Sequence, residues 1–186
     1  QLTLKQYMSR DAHPKIKIIM GQSIKEAVAC NDSKVRPEHV ILSLLIDNDN
    51  QCTKVLKKMN IDSLDLYDKV SEYLRLNEIT PRVTSNKSRL PYSDEIKALF
   101  KTLDAECDNL ADSVIDTTHL FLSILKIKSP IVTFLGKNGI NYKNFKTDFI
   151  KVKTELENSE VESVNSIYNL INQEYDIEFE KRNNEI

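Results

Sequence analysis

The stretch HVILSLL at His39–Leu45 has a near copy, HLFLSIL, at His119–Leu125. In each stretch a histidine is followed by six residues that are all apolar except for one serine. Short runs of this kind are typical of a strongly apolar helix. The near copy shows that the chain consists of two related halves, and this internal repeat decides the fold. We call the displacement in numbering that takes His39 to His119 the repeat shift.

The repeat shift also relates the segments upstream of the two stretches. Six small or apolar residues with the spacing of one helical face precede the first stretch, and six apolar residues occupy the corresponding positions before the second. The first set is Ile16, Ile19, Met20, Ser23, Ala27 and Cys30, and the second is Ile96, Leu99, Phe100, Leu103, Cys107 and Leu110.

Downstream of the two stretches the repeat shift is smaller by a single position, which predicts that the second half lacks one residue near position 128. With this smaller shift Asn60 corresponds to Gly139, and both residue types tolerate the left-handed backbone that often ends a helix. Asp62 corresponds to Asn141, and both are good N-cap residues for a following helix.

These patterns predict an all-α fold of two tandem four-helix repeats related by pseudo-twofold symmetry. Repeat one covers residues 9–76, a polar linker covers 77–91 and repeat two covers 92–152, so that the domain extends over 9–152. The predicted helices are 14–31, 37–47, 50–59 and 62–76 in repeat one, and 93–111, 117–127, 129–138 and 141–153 in repeat two.

The remaining residues, 153–186, are predicted to form a helical linker. It begins with an acidic stretch that contains four glutamates between positions 155 and 162. Five apolar or aromatic residues with helical spacing follow, which indicates an amphipathic helix that needs a partner surface. These residues are Val164, Ile167, Tyr168, Ile171 and Tyr175.

The composition disfavours several classes of function. The net charge is −2 with 29% charged residues, so the chain has no basic excess with which to bind nucleic acid. No run of apolar residues reaches the roughly 18 that a membrane-spanning helix requires, and no membrane insertion is expected. Cys30, Cys52 and Cys107 lack CxxC spacing, which disfavours a disulfide framework or a zinc site and predicts buried cysteines.

The two halves carry short motifs at corresponding places before and around their apolar helices. The first half carries Glu26-Ala27, a short gap, and then Arg36-Pro37-Glu38-His39 at the start of its apolar helix. The second half opens with Leu90-Pro91-Tyr92-Ser93 and continues with Glu106-Cys107 and residues 115–120. These motifs resemble the N-terminal repeat of the Clp family of AAA+ protein unfoldases. The resemblance covers about residues 9–152, and the proline at position 37 makes the first motif most similar to that of the ClpB-type disaggregases.

The resemblance implies a non-catalytic domain that binds unfolded or aggregated polypeptides, or adaptor proteins, and feeds them to a hexameric threading machine. ATP and magnesium are expected for such a full-length protein, and the hexamer is expected of the full-length protein only. No GxxxxGK[ST] phosphate loop occurs in this sequence, so no cofactor is predicted for it. Residues 153–186 are then a linker toward an ATPase module that this sequence does not include.

The resemblance also implies three candidate substrate-binding residues: Glu38, Asp112 and Thr118. Glu38 corresponds to a glutamate that binds phosphoarginine marks in ClpC-type relatives. The equivalent position in repeat two is Thr118, which departs from the family pattern. Asp112 corresponds to an aspartate at the substrate-binding surface of ClpB-type relatives. A simpler interpretation of Glu38 and Asp112, as solvated charges at helix starts, stays open beside this one.

No pattern of residues predicts catalysis or metal binding. His39 and His119 each lie in the first turn of an apolar helix, where hydrogen bonding to the local backbone is a simpler role than metal ligation. The sequence has three histidines and no GxSxG motif, which provides no basis for a catalytic triad. We therefore predict no catalytic and no metal-ligating residue.

Three other functions stay open at this point: a stand-alone adaptor of the same fold, the receiving domain of an unfoldase that exports proteins across a membrane, and a small metal-dependent hydrolase. The compartment is equally open. The cytoplasm, an organelle lumen and a secreted or vacuolar export compartment are all compatible with the sequence.

Overall fold

The structure, a computed structural model, describes residues 9–77 and 90–184, and it describes side chains as far as Ile171. These residues form eight helices and no sheet, which confirms the predicted all-α fold of two four-helix repeats. Repeat one contains α1 (Pro14–Ala29), α2 (Pro37–Ile46), α3 (Gln51–Lys58) and α4 (Ser63–Leu76). Repeat two contains α5 (Asp94–Asn109), α6 (Thr117–Leu125), α7 (Pro130–Lys137) and the start of α8 (Tyr142–Asn184). Most of the predicted linker, 78–89, lies outside the described residues.

The change in repeat register occurs at the end of a helix and not in the loop near position 128. Helix α2 has ten residues and α6 has nine, whereas the loops that follow them, 47–50 and 126–129, are equally long. The missing residue therefore shortens α6 by one position and leaves the following turn unchanged.

The predicted end of the last helix at residue 153 is wrong. Helix α8 continues to Asn184 because no glycine or proline follows Gly139 to interrupt it. The chain nevertheless divides into two compact units, 1–149 and 150–186, which are described separately.

The centre of the first unit is formed by α2 and α6, the two helices that contain the repeated stretches. All residues of α6 are buried, and so are the residues of α2 from Pro37 to Leu45. Helices α1 and α4 pack against α2, while α3 and α5 pack against α6. The amphipathic outer helices thus cover two helices that have no polar face, as the sequence pattern predicts.

Backbone hydrogen bonds join the two repeats reciprocally. Ala12, before α1, forms a parallel β-bridge with Ile115, before α6, and Tyr92, before α5, forms the equivalent bridge with Val35, before α2. Ile115 accepts a hydrogen bond from the His13 amide (2.8 Å) and donates one to the Asp11 carbonyl (3.0 Å). Val35 accepts from the Ser93 amide (2.9 Å) and donates to the Pro91 carbonyl (2.9 Å). Each repeat therefore supplies an extended residue that pairs inside the other.

The residues that begin and end the helices also correspond between the two repeats. Asp62 and Asn141 both accept backbone N–H bonds at the predicted N-cap positions. Asn60 and Gly139 have φ of 58° and 82°, which confirms the predicted left-handed ends. A second left-handed pair was not predicted: Asn31, at 56°, corresponds to Ala111, at 54°. Alanine is strained in this region because its Cβ atom approaches the following carbonyl oxygen.

Within the described parts of the chain, no single helix is both long enough and apolar enough to cross a membrane. Helices α6 and α7 reach that threshold only when taken together, and they are bent by 102° relative to each other.

The strain at Ala111 predicts a stabilising substitution. Ala111 is exposed, so Ala111→Asn changes no packing, and we expect it to raise the free energy of unfolding by about 0.5–1 kcal/mol. The matched change Asn31→Ala introduces the same strain into repeat one and should lower stability by a similar amount. Urea unfolding followed by circular dichroism measures both, and a destabilised Ala111→Asn protein contradicts the explanation.

The reciprocal bridges predict that one repeat does not fold alone. A fragment that ends at Thr80 lacks Pro91, Ser93 and Ile115, the bridge partners of its own residues, and leaves the apolar face of α2 uncovered. We expect no cooperative urea transition from this fragment, and recovery of one when residues 81–186 are added in equal amount. Full native stability of the fragment by itself would rule out a shared core.

Candidate substrate-binding site

The three candidate residues lie near the N-terminal ends of the two central helices. Glu38 and Thr118 are the second residues of α2 and α6, and Asp112 lies in the turn between α5 and α6. Their exposure differs: Glu38 is 7% exposed and Thr118 only 1%, whereas the Asp112 side chain is 21% exposed. The structure places Asp112 against His119, the neighbour of Thr118. Glu38 lies in the other repeat, at the position that corresponds to Thr118.

The Asp112 carboxylate is held in place by groups around it. Its Oδ2 atom lies 3.1 Å from Nε2 of His119. Its backbone carbonyl accepts hydrogen bonds from Nη1 of Arg10 (2.7 Å) and from the Cys107 thiol (3.1 Å). Arg10 also pairs with Asp108, so the residues that precede α1 attach to the end of α5. Asp112 therefore presents an oriented carboxylate at the surface.

The two repeated histidines have the local backbone role that the sequence predicts. Nδ1 of His119 accepts the Asp116 amide (2.9 Å), and Nδ1 of His39 accepts the Arg36 amide (3.0 Å). A ring nitrogen that accepts from an amide carries no proton, so Nε2 is the protonated atom in both rings. In His119 this proton is donated to Asp112. In His39 the nearest carboxylate oxygen, Oδ2 of Asp32, is 3.9 Å away.

Burial keeps both histidines neutral. It lowers the pKa of His39 from 6.5 to about 4, although the Asp32 carboxylate opposes the change. It also lowers the pKa of His119, against the opposing effect of Asp112. Neutral rings are required here because a second ring proton on Nδ1 would remove the acceptor that caps each helix.

Glu38 is a buried carboxylate beside an aromatic pair. Burial raises the pKa of Glu38, and Arg36 acts in the opposite direction. Its Oε2 atom has no hydrogen-bond partner among the described residues. Nearby, the half-buried rings of Tyr73 in α4 and Phe134 in α7 stack across the repeat junction with centroids 4.5 Å apart. This corner combines an unsatisfied acceptor with a partly open aromatic surface.

Thr118 offers less than Glu38 at the equivalent position. It carries no charge, and its buried hydroxyl oxygen has no hydrogen-bond partner in the described parts of the chain. The two repeats therefore present different chemistry at related positions, as the sequence indicates.

A depression at the repeat junction is not predicted by the sequence pattern. It has a volume of about 220 Å³ and is lined by residues of α1, α3 and the start of α6. One repeat contributes Lys15 and Lys54, and the other contributes Asp116. The repeat shift maps Lys15 onto Glu95 and Asp116 onto Arg36, so the charges are exchanged at the repeat-related corner. This exchange is visible in the sequence once the repeats are aligned.

The two glutamates in the Glu-Ala and Glu-Cys motifs have a structural role that the sequence pattern does not predict. Glu106 is 1% exposed and accepts hydrogen bonds from the Tyr142 hydroxyl (2.6 Å) and from Lys126. Glu26 accepts from the Tyr67 hydroxyl (3.2 Å) and from Gln22 (2.9 Å). Each glutamate thus ties the first helix of its repeat to the fourth.

Metal binding finds no support in the described ranges 9–77 and 90–184, where no three His, Cys, Asp or Glu side chains form a group that could hold an ion. Cys52 and Cys107 are buried, as predicted, whereas Cys30 is only half-buried. Burial raises the pKa of all three thiols.

The chain is similar to known proteins of one family in both sequence and fold. Residues 13–138 match the family described as the Clp repeat (R) N-terminal domain. The chaperone protein ClpB of Mycobacterium leprae is 22% identical over 139 residues, which are 75% of this chain and 16% of that protein. The chain therefore spans a small part of the length of this relative.

Several solved structures share the fold, and two of them illustrate the similarity. The Hsp104 N-terminal domain from Candida albicans superposes with a TM-score of 0.63 at 16% identity, over 78% of this chain and 92% of that one. A complex of the ClpV N-domain with a VipB peptide superposes with a TM-score of 0.60 at 18% identity, over 80% and 90% of the two chains.

The buried His39 predicts loss of stability in acid. Its pKa in the folded state, about 4, lies below the ordinary 6.5, so the unfolded chain takes up the proton first as the pH falls. Above pH 6.5 His39 makes its full contribution to the free energy of unfolding. Between pH 6.5 and 4 that contribution should fall by about 3 kcal/mol. Urea unfolding at several pH values measures this loss.

The control is His39→Gln, which keeps an acceptor for the Arg36 amide and does not titrate. The stability difference between the wild type and this variant should shrink as the pH falls. A difference that stays constant from pH 7 to 4 contradicts the assignment. The comparison also removes the contribution of Glu38, whose raised pKa acts in the opposite direction.

Proposed function

Because the chain belongs to the Clp repeat (R) N-terminal domain family, we propose that it is the polypeptide-receiving domain of a ClpB-type unfoldase. It binds unfolded or aggregated polypeptides, or an adaptor that carries them, and contributes no catalysis of its own. The full-length protein then uses ATP and magnesium and works as a threading hexamer. Related Clp N-domains are binding domains, and the ClpV domain with its VipB peptide is an example of such binding.

The oriented carboxylate of Asp112 is the observation that carries this proposal. A surface carboxylate fixed by the His119 ring and by the backbone contact with Arg10 loses little freedom when it accepts N–H groups of a bound chain. Glu38 and the Tyr73–Phe134 pair form a second contact region in which one carboxylate oxygen still lacks a donor among the described residues. Thr118 can contribute only after local movement, because it is 1% exposed.

Weak binding suits this role. An exposed charged contact contributes about 0.2–1 kcal/mol, so no single residue here gives tight affinity. A receiving domain must also release its cargo to the pore of the hexamer. Several modest contacts satisfy both requirements better than one deep pocket.

The proposal predicts weak capture of an unfolded protein with a modest dependence on Asp112. Fluorescence anisotropy with a labelled, permanently unfolded model protein should give a dissociation constant of about 1–100 μM. Asp112→Asn should weaken binding by about two- to fivefold. Asp65→Asn, which removes an exposed carboxylate on α4, is the matched control and should change nothing. Absence of binding at any soluble concentration would falsify the receiving role.

The inequality of Glu38 and Thr118 can be tested in the same assay. Phosphoarginine requires a carboxylate in both repeats if it is bound symmetrically, so the wild type should bind it poorly. Thr118→Glu should improve this binding and Glu38→Ala should not. Tight two-site binding of phosphoarginine by the wild type contradicts the proposed asymmetry.

A further inference from the structure

The second compact unit contains a long segment whose charged residues are all acidic. Between Thr154 and Glu180 the chain contains eight Asp or Glu residues and no Lys, Arg or His. We call residues 154–180 the acidic arm. Its backbone is helical throughout as part of α8, which runs to Asn184.

The acidic arm also exposes an apolar stripe. Val161, Val164, Tyr168 and Ile171 follow one another with the 3–4–3 spacing of a helix–helix seam. Their exposed fractions are 59%, 64%, 64% and 48%. Glu157 and Glu160 border the stripe and, with Val161, Val164 and Asn165, line a shallow groove on the helix surface. Three further exposed apolar residues widen this face: Leu156, Ile167 and Leu170. The side chain of Tyr175, which the sequence pattern adds to this face, lies outside the described residues.

A stripe of this extent indicates a binding surface. Helices in proteins obtain most of their stability from packing of an apolar face, and contiguous exposed apolar surface in soluble proteins marks interaction sites. Charge decides between the possible occupants. A second copy would bring eight acidic residues against eight others in either orientation, and repulsion between like charges opposes that pairing. Membrane-surface helices carry Lys and Arg on the polar face, and this segment has none.

We propose that the acidic arm docks a basic amphipathic helix of a partner protein. The apolar face of that helix covers Val161, Val164, Tyr168 and Ile171, and its lysines or arginines pair with Glu157 and Glu160 along the edge of the stripe. The pairing of opposite charges selects the partner and sets the orientation, while burial of the stripe supplies the affinity. This interaction does not depend on the receiving role of the first unit.

The test uses the whole chain and three synthetic helices of about 21 residues, or three heptads. The first has Leu at the seam positions and Lys elsewhere, the second replaces Lys by Glu, and the third keeps Lys and replaces Leu by Gln. The Leu/Lys helix should bind at least about tenfold more tightly than either of the others. Binding should weaken with added salt, and hydrogen exchange of the amides at 156–171 should slow.

Variants locate the site. The double change Val164→Gln and Ile171→Gln uses a good helix former at exposed positions and should weaken binding of the Leu/Lys helix by about tenfold. Ile18→Gln alters an equally exposed apolar residue, 60% exposed in α1, and should have no effect. Should the double variant lose helicity, the triple change Glu157→Gln, Glu160→Gln and Glu162→Gln provides a second test. It should reduce both affinity and salt dependence.

Several results would overturn the proposal. Equal binding of the Leu/Glu helix removes the requirement for basic charge, and equal binding of the Lys/Gln helix removes the requirement for apolar contact. A dimer in sedimentation equilibrium that dissociates when Val164 and Ile171 are changed makes a second copy the occupant. Binding to phosphatidylserine vesicles that needs the same two residues makes the occupant a lipid surface. Failure of Asp112→Asn to affect unfolded-protein capture concerns the other unit and leaves this test unchanged.

Discussion

Four backbone hydrogen bonds between the repeats hold the first unit together as one body. Val35 and Ile115 are fully buried, and each lies in the short extended segment before a central helix. Their amide and carbonyl groups pair with the segment before the first helix of the other repeat, and a buried backbone group without a partner is costly. The two bridges therefore place the start of α1 beside the start of α6 and the start of α5 beside the start of α2, and the pseudo-twofold arrangement follows from this exchange.

The symmetry of the backbone allows the side chains to diverge. Lys15 and Asp116 line the same depression at one corner of the repeat junction, and Glu95 and Arg36 occupy the related corner with the charges exchanged. Glu38 and Thr118 differ in the same manner at the starts of α2 and α6. Asp32 and Asp112 keep the same residue type, but Asp112 contacts its histidine at 3.1 Å and Asp32 stands 3.9 Å away. A repeated scaffold thus presents two unlike surfaces, which is compatible with the proposed binding of varied polypeptides.

Capping by histidine links the stability of the fold to the geometry of the candidate site. The ring nitrogen that accepts the Asp116 amide fixes the His119 ring, and the opposite nitrogen then fixes Asp112. Changes that protonate the ring or shift α6 would therefore alter the surface carboxylate as well as the helix. In repeat one the His39 ring is fully buried and caps α2 through the Arg36 amide, and Oδ2 of Asp32 is 3.9 Å from its Nε2 atom, so the same close link to a carboxylate is missing.

The sequence by itself determined the order and positions of the eight helices, except for the C-terminal end of α8, and it determined the repeat, because both depend on the periodic spacing of residue types such as Ile16 and Ile96. It also determined the caps at Asp62 and Asn141 and the left-handed ends at Asn60 and Gly139, since these depend on local backbone geometry. Only the tertiary structure decided that Ala111 is left-handed, that Thr118 is buried and that Arg10 holds Asp112. These features depend on which residues come into contact in the folded chain. The residue type of Arg10 does not indicate that its partner is Asp112, which is distant along the chain.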